Sequence, residues 1–189
     1  NTSFNINMNS GLIDAYANVG YRHRAGEGRS ESNQQYLNTN TYQRYKAKNS
    51  RSSNSIFSRA GITLHATKKD DLSLSGMLMH SASNSWSTTP YHYGTIGAPA
   101  DTRLMLRSTR GDGGMDMYYG EFNYRHNFTD KHYLDFVVSY NKWKSDDENI
   151  YQDSTSWTDG STPTDYEWQS RPMHINNRSW EVKLDYENP

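Results

Sequence analysis

The chain lacks cysteine altogether, carries a formal net charge of only -1, has five prolines and contains no unbroken apolar run longer than three residues. Each shortage excludes something. Without cysteine there is no disulfide framework and no zinc–thiolate centre. Without a clustered basic excess there is no electrostatic footprint for nucleic acid. A transmembrane helix needs roughly 20 apolar residues in a row, and the longest runs here, such as Met77-Leu78-Met79 and Phe136-Val137-Val138, are far shorter. The opening NTSFNINMNS has neither the basic nor the apolar segment of a secretion signal. A membrane β-strand needs only about 9–11 residues with every second one apolar, so that route stays open.

What the 189 residues do contain is aromatic and polar: 15 Tyr and 5 Trp within a hydrophobic fraction of only 33%. Disordered chains are poor in aromatics and strongly charged. This chain is neither, and its Tyr content favours strands.

Period-two alternation is the main signal. Trp180, Val182, Leu184 and Tyr186 alternate with Ser179, Glu181, Lys183 and Asp185. Ile56, Ala60, Ile62 and Leu64 oppose Phe57, Arg59, Thr63 and His65. Ile13, Ala15, Ala17, Val19 and Tyr21 oppose Asp14, Tyr16, Asn18 and Arg22. Phe4, Ile6 and Met8 form a further apolar set, as do Tyr118, Phe122 and Tyr124. In HYLDFVVSYNKW, Leu134, Phe136, Val138 and Tyr140 alternate, although Tyr133, Phe136, Val137, Tyr140 and Trp143 also fit a helical stripe. β-Branched and aromatic content decides for strand. In DLSLSGMLMHSAS the Met neighbours of Leu78 blur an alternation carried by Leu72, Leu74 and Leu78.

About seven strands result, and their connections alternate in length. NSGL (9–12), TKKDD (67–71) and NFTDK (127–131) are short; 26–52, 85–112 and 153–165 are long and polar. Transmembrane barrels have short periplasmic turns and long extracellular loops. The expectation is therefore an all-β, antiparallel, up-and-down transmembrane β-barrel whose apolar faces meet outer-membrane lipid. Single-chain bacterial barrels have even strand numbers, and an open edge in hydrocarbon is costly. Seven strands are thus expected to be an interior stretch of a larger wall spanning 1–189, with extracellular loops at about 26–52, 85–112 and 153–165.

GITLHATKKDDLSLSGMLMHSAS, EFNYRHNFTDKHYLDFVVSYNKW and SWEVKLDYENP resemble hairpins of the TonB-dependent receptors of the bacterial outer membrane. The resemblance implies a 22-stranded barrel filled by a plug domain and energised through TonB. Such receptors import iron chelates, vitamins, oligosaccharides or peptides, some with a surface lipoprotein as partner. The chain departs from that pattern in having no plug domain, no TonB-contact segment and no closing strand with a terminal aromatic residue. The alternatives are a soluble all-β carbohydrate-binding module and a small outer-membrane barrel enzyme.

Candidate sites are few. Trp86, Tyr91, Tyr93 and Trp157 offer flat rings on which a sugar or another ligand could stack. Trp143 and Trp168 are expected in the interfacial aromatic girdle. RGD at Arg110 to Asp112 is a short match in a Gly-rich stretch read as a flexible turn, and Asp112 with Asp116 lacks the ligand spacing of a calcium loop. Asp146, Asp147, Glu148 and Asp153 form an acidic run expected to be solvated. His80 and the histidine of PYHYG, His92, lack the carboxylate or cysteine spacing of a metal site. No G-x-S-x-G, H-E-x-x-H, P-loop or dinucleotide turn occurs, so no enzyme and no cofactor is expected.

Overall fold

The computed structural model describes residues 1–189 except Pro99, Asp130, Ser161 and Pro189. Seven strands run in chain order: β1 (Thr2–Asn9), β2 (Ile13–Tyr36), β3 (Thr41–His65), β4 (Asp70–Thr95), β5 (Arg103–Thr129), β6 (His132–Trp157) and β7 (Asp165–Glu187). They form one open, antiparallel, up-and-down sheet in which each strand pairs with its sequence neighbours. The ambiguous HYLDFVVSYNKW segment is strand throughout.

The expected loops need correcting. Strand covers most of 26–52 and 85–112, and the start of 153–165; Pro99 and Ser161 lie outside the described residues. The β2–β3 hairpin closes on residues 37–40, the β4–β5 connection is 96–102 and the β6–β7 connection is 158–164. The polar composition hid a continuing backbone ladder. Ala25 pairs with Ser52 and Glu31 with Lys46, and the Lys46 ammonium lies 3.2 Å from the Glu31 carboxylate. Cross-strand pairs of hydroxyls and opposite charges support a ladder that no apolar periodicity announces. Turn chemistry closes the ends: Asn40 takes φ 54° and Gly97 takes φ 84°.

Register assigns every side chain to a face. On one face a single apolar row crosses all seven strands: Met8, Ala15, Ile62, Leu74, Phe122, Val138 and Val182. Below it lie Ile13, Leu64, Leu72, Tyr124, Phe136 and Leu184. Above it lie Ile6, Ala17, Ala60, Gly76, Gly120, Tyr140 and Trp180. Tyr140 and Trp180 pack at 4.6 Å between ring centroids. On β3 this apolar belt reaches Ile56, eight residues above Leu64, which at about 3.3 Å per residue is roughly 26 Å along the strand.

Among the described residues nothing covers the belt. Val182 is 67% exposed and Leu74 58%. The opposite face is the more occluded one. Along β5, Arg103, Met105 and Arg107 are half-buried while Leu104 and Leu106 between them are exposed. The sheet therefore curves so that its polar side chains converge and its apolar ones splay outward.

The polar face has one apolar stripe. Phe57, Met79, Met117 and Trp143 form a row across β3 to β6, so Met77 and Met79 belong to the face opposite Leu78. Phe57 lies directly against Gly20, where an added Cβ would collide with its ring. Trp143 is thus not in an aromatic girdle on the belt. Trp168 is on the belt face but twelve positions along β7 from Trp180. The aromatic side chains that rim the belt are Tyr21, Tyr118 and Trp180 at one end and Tyr124 and Tyr186 at the other.

Candidate functional site

The densest chemistry lies on the polar face, at the end remote from the short links, where β3 to β7 extend well past the belt. Tyr45 and Tyr91 pair across β3 and β4, with ring centroids 5.1 Å apart. Two positions along β4, Tyr93 is stacked on Tyr91 at 6.2 Å with an interplanar angle of 18°. Strand alternation places residues two apart on the same face, so the Y-H-Y spacing aligns both rings. Guanidinium groups occupy the same surface. Arg103 sits 4.0 Å over the Tyr93 ring. Arg107 lies between Tyr91 and Tyr151, 6.0 and 5.8 Å from their centroids. Arg171 lies 5.2 Å from Tyr151 on its other side.

Arg107 donates two hydrogen bonds to Asp153, Nε to Oδ1 at 2.8 Å and Nη2 to Oδ2 at 2.6 Å. The Asp153 carboxylate holds the guanidinium protonated and raises its pKa. Burial pushes the Tyr91 phenol up, with Arg107 opposing that shift. The phenol is therefore neutral and able to donate a hydrogen bond at ordinary pH. The ensemble offers stacked ring faces, guanidinium groups beside them and one internally neutralised charge pair. Such surfaces take up sugars, planar rings and anionic groups.

Of the four ring residues singled out from the sequence, the structure brings three to this face. Tyr91 and Tyr93 are in the lattice, and Trp157 at the end of β6 pairs with Arg103, which itself pairs with Tyr93. Trp86 does not join them. It pairs with Ser50 and Arg110 on the belt face and is 51% exposed. Tyr45, Arg107 and Arg171 escaped the sequence reading because they belong to three different strands, and only register unites them. The single visible signal was the paired spacing of Tyr91 and Tyr93.

The remaining candidates are dispersed. Arg110 and Asp112 lie in β5, not in a flexible turn, and pair at 3.1 Å on the belt face. Asp116 is taken by His80 at 2.7 Å. In the acidic run, Asp146 and Glu148 face one way while Asp147 and Asp153 face the other. Asp146 accepts from Lys144 at 2.5 Å and lies 2.8 Å from His174 Nδ1. No group of three or more metal-ligating side chains occurs among the described residues.

A separate cluster fastens the β4–β5 connection. Asp101 accepts hydrogen bonds from Tyr42 at 2.5 Å and Arg44 at 3.0 Å, and lies 2.8 Å from His92 Nδ1. The Tyr42 bond is the main reason the Asp101 carboxyl is held below its ordinary value, with His92 and Arg44 adding to it. The same bond raises the Tyr42 phenol. The Asp101 carbonyl in turn accepts from Thr158 Oγ1 at 2.6 Å, which ties this connection to the next one. No protein-family model matches the chain, and no curated protein matches it.

Proposed function

We propose that the chain is a wall segment of a bacterial outer-membrane β-barrel receptor or transporter that takes up a nutrient. The observation that carries this reading is the inverted amphipathicity. An unbroken apolar row runs from Met8 to Val182 across all seven strands, with Met8, Ile62, Leu74, Phe122 and Val182 exposed and Ala15 and Val138 half-buried, while Arg103, Arg107 and Arg125 on the other face are half-buried. Water gives no reason to expose such a belt; lipid tails do. The belt height, aromatic residues at both rims and strands of 23 to 27 residues over β2 to β7 support a wall that crosses a bilayer and projects beyond it.

In this reading the backbone groups on the outer edges of β1 and β7 pair with further strands, because unpaired groups in hydrocarbon cost several kcal/mol each. The arginine–tyrosine lattice then looks into the bore above the membrane and meets the incoming solute. Coupling to TonB would come through a plug domain, and nutrient classes follow the receptors the hairpins resemble.

The absence of cysteine makes the test direct. Val182→Cys and Lys183→Cys variants carry an environment-sensitive fluorophore in the barrel reconstituted into vesicles. Brominated lipid tails should quench the probe at 182 and leave the one at 183 bright. Equal quenching at the two positions overturns the assignment of faces, and a monomer in detergent-free buffer with 182 shielded from added quencher makes the sheet part of a soluble module.

A further inference from the structure

We propose a second binding site, on the belt face well above the belt, that takes an acidic oligosaccharide. It lies on the side opposite the arginine–tyrosine lattice and does not depend on the membrane reading. One register row there runs Arg29, Lys48, Thr88, Ser108, Gln152 and Trp168 across β2 to β7. At about 4.8 Å between strands the row is roughly 24 Å long, the length of a short extended sugar chain. Trp86 stands one register step below it on β4, about 16 Å from Trp168 on the same spacing.

Two features distinguish this row from an ordinary solvated surface. The first is charge. Arg29 and Lys48 sit directly opposite each other, an arrangement of like charges that destabilises a sheet. The neighbouring Lys46 has Glu31 as partner, but neither Arg29 nor Lys48 has an ion-pair or hydrogen-bond partner among the described residues. A carboxylate or sulfate on a ligand would relieve that repulsion.

The second feature is the pair of indoles. Trp86 is 51% and Trp168 62% exposed, and both lie far outside the apolar belt. Trp86 lines two adjoining troughs, of about 810 and 660 Å³. Glu27, Asn84, Arg110 and Asp112 border the larger one, and Arg29, Lys48 and again Glu27 the smaller, with Ser50 shared by both. The cross-strand neighbour Ser50 is small, which leaves an indole face open. Flat, rigid rings with planar polar groups alongside match the apolar faces and equatorial hydroxyls of a pyranose. Between the indoles, Ser108 and Gln152 present polar groups; the Thr88 hydroxyl is covered, so Thr88 contributes only its methyl.

The two rings anchor the sugar chain, the amide and hydroxyl contacts orient it, and the Arg29–Lys48 pair selects for negative charge. The source is either a free acidic polysaccharide or the sugar portion of a membrane glycolipid, since both present the same chemistry.

The experiment titrates the full chain in detergent micelles with hexagalacturonate and with neutral maltohexaose, following tryptophan emission. Hexagalacturonate should bind at least about tenfold more tightly, with an advantage that falls as salt is added. Arg29→Gln with Lys48→Gln should abolish that advantage while leaving maltohexaose unchanged. Trp86→Ala and Trp168→Ala should each weaken both sugars about tenfold, while Trp86→Phe and Trp168→Phe retain most of the affinity with the same strand content by circular dichroism. Equal affinity for the two sugars, or wild-type affinity in either alanine variant, overturns the proposal. Displacement of hexagalacturonate by lipopolysaccharide vesicles, but not by plain phospholipid vesicles, assigns the ligand to a surface glycolipid. No displacement assigns it to a free polysaccharide, and the site stands in both cases.

Discussion

Arg107 on β5 and Asp153 on β6 face each other as a two-pronged pair, with contacts of 2.8 and 2.6 Å, and the guanidinium is flanked by the rings of Tyr91 and Tyr151. The Asp153 side chain is only 10% exposed, so removing its partner leaves an ion with little water. Arg107→Ala should therefore cost about 1–3 kcal/mol. The Lys46–Glu31 pair, 78% and 66% exposed, should be worth about 0–1 kcal/mol. Urea unfolding of the two variants in one detergent measures the difference; equal costs would mean that Arg107 is solvated after all.

The face assignment predicts a sharp asymmetry between two adjacent residues. Leu184 is in the belt opposite Phe136, and Lys183 is on the polar face opposite Val137, 2.6 Å from Asp185. Leu184→Arg should cost about 2–4 kcal/mol if its row lies near the bilayer midplane. Lys183→Ala should lose only an exposed ion pair, about 0–1 kcal/mol. Refolding equilibria in lipid vesicles decide, and similar costs would contradict the membrane reading.

Acid should loosen the rim near the short links. Asp70, beyond the last belt residue Leu72, lies 2.6 Å from His126 Nδ1 and accepts hydrogen bonds from Tyr124 at 2.9 Å and from Thr67. His126 first, then Thr67 and Tyr124, lower its pKa to about 2. A carboxylate depressed in the folded state stabilises above its unfolded value of 3.8 and loses that contribution as pH falls towards about 2. Unfolding midpoints should thus drop between those two values, and Asp70→Asn should flatten that part of the profile. An unchanged profile in the variant would show that other carboxylates govern the acid limb.

Asp101 is predicted to control the order of the β4–β5 connection. Its carboxylate joins Tyr42 and Arg44 of β3 to His92 of β4. Asp101→Ala removes all three bonds and should raise the rate of tryptic cleavage at Arg103, the first residue of β5, several-fold with no change in strand content. Cleavage at the wild-type rate would mean that the backbone bonds Ala98 to Thr95 and Thr102 to Tyr93 suffice.

Legibility in the sequence varied with the residue type. Trp180, Val182, Leu184 and Tyr186 declare a strand and a face because apolar side chains repeat at the pleat period. The stretch 26–52 declares nothing, since its polar residues occupy both faces alike, and by sequence alone it looks like a loop. Its strand character comes from partners on β2, β3 and β4. The helical alternative for Tyr133 to Trp143 fails for the same reason: the β5 and β7 ladders on either side satisfy its backbone groups. Trp86 and Tyr91 are five residues apart, so the pleat puts them on opposite faces, but that rule applies only once their polar segment is known to be strand.

Local chemistry alone determined that this chain makes alternating strands, where its short turns fall and which side chains share a face within each strand, because the pleat repeats every two residues. The tertiary structure decided which strands lie beside which and in what register. That pairing aligned seven separate apolar stripes into one exposed belt, gathered Tyr45, Tyr91, Arg107, Tyr151 and Arg171 from five strands, and left Arg29 facing Lys48. Register is set by hydrogen bonds between residues distant in the chain, so its consequences are written in no single segment.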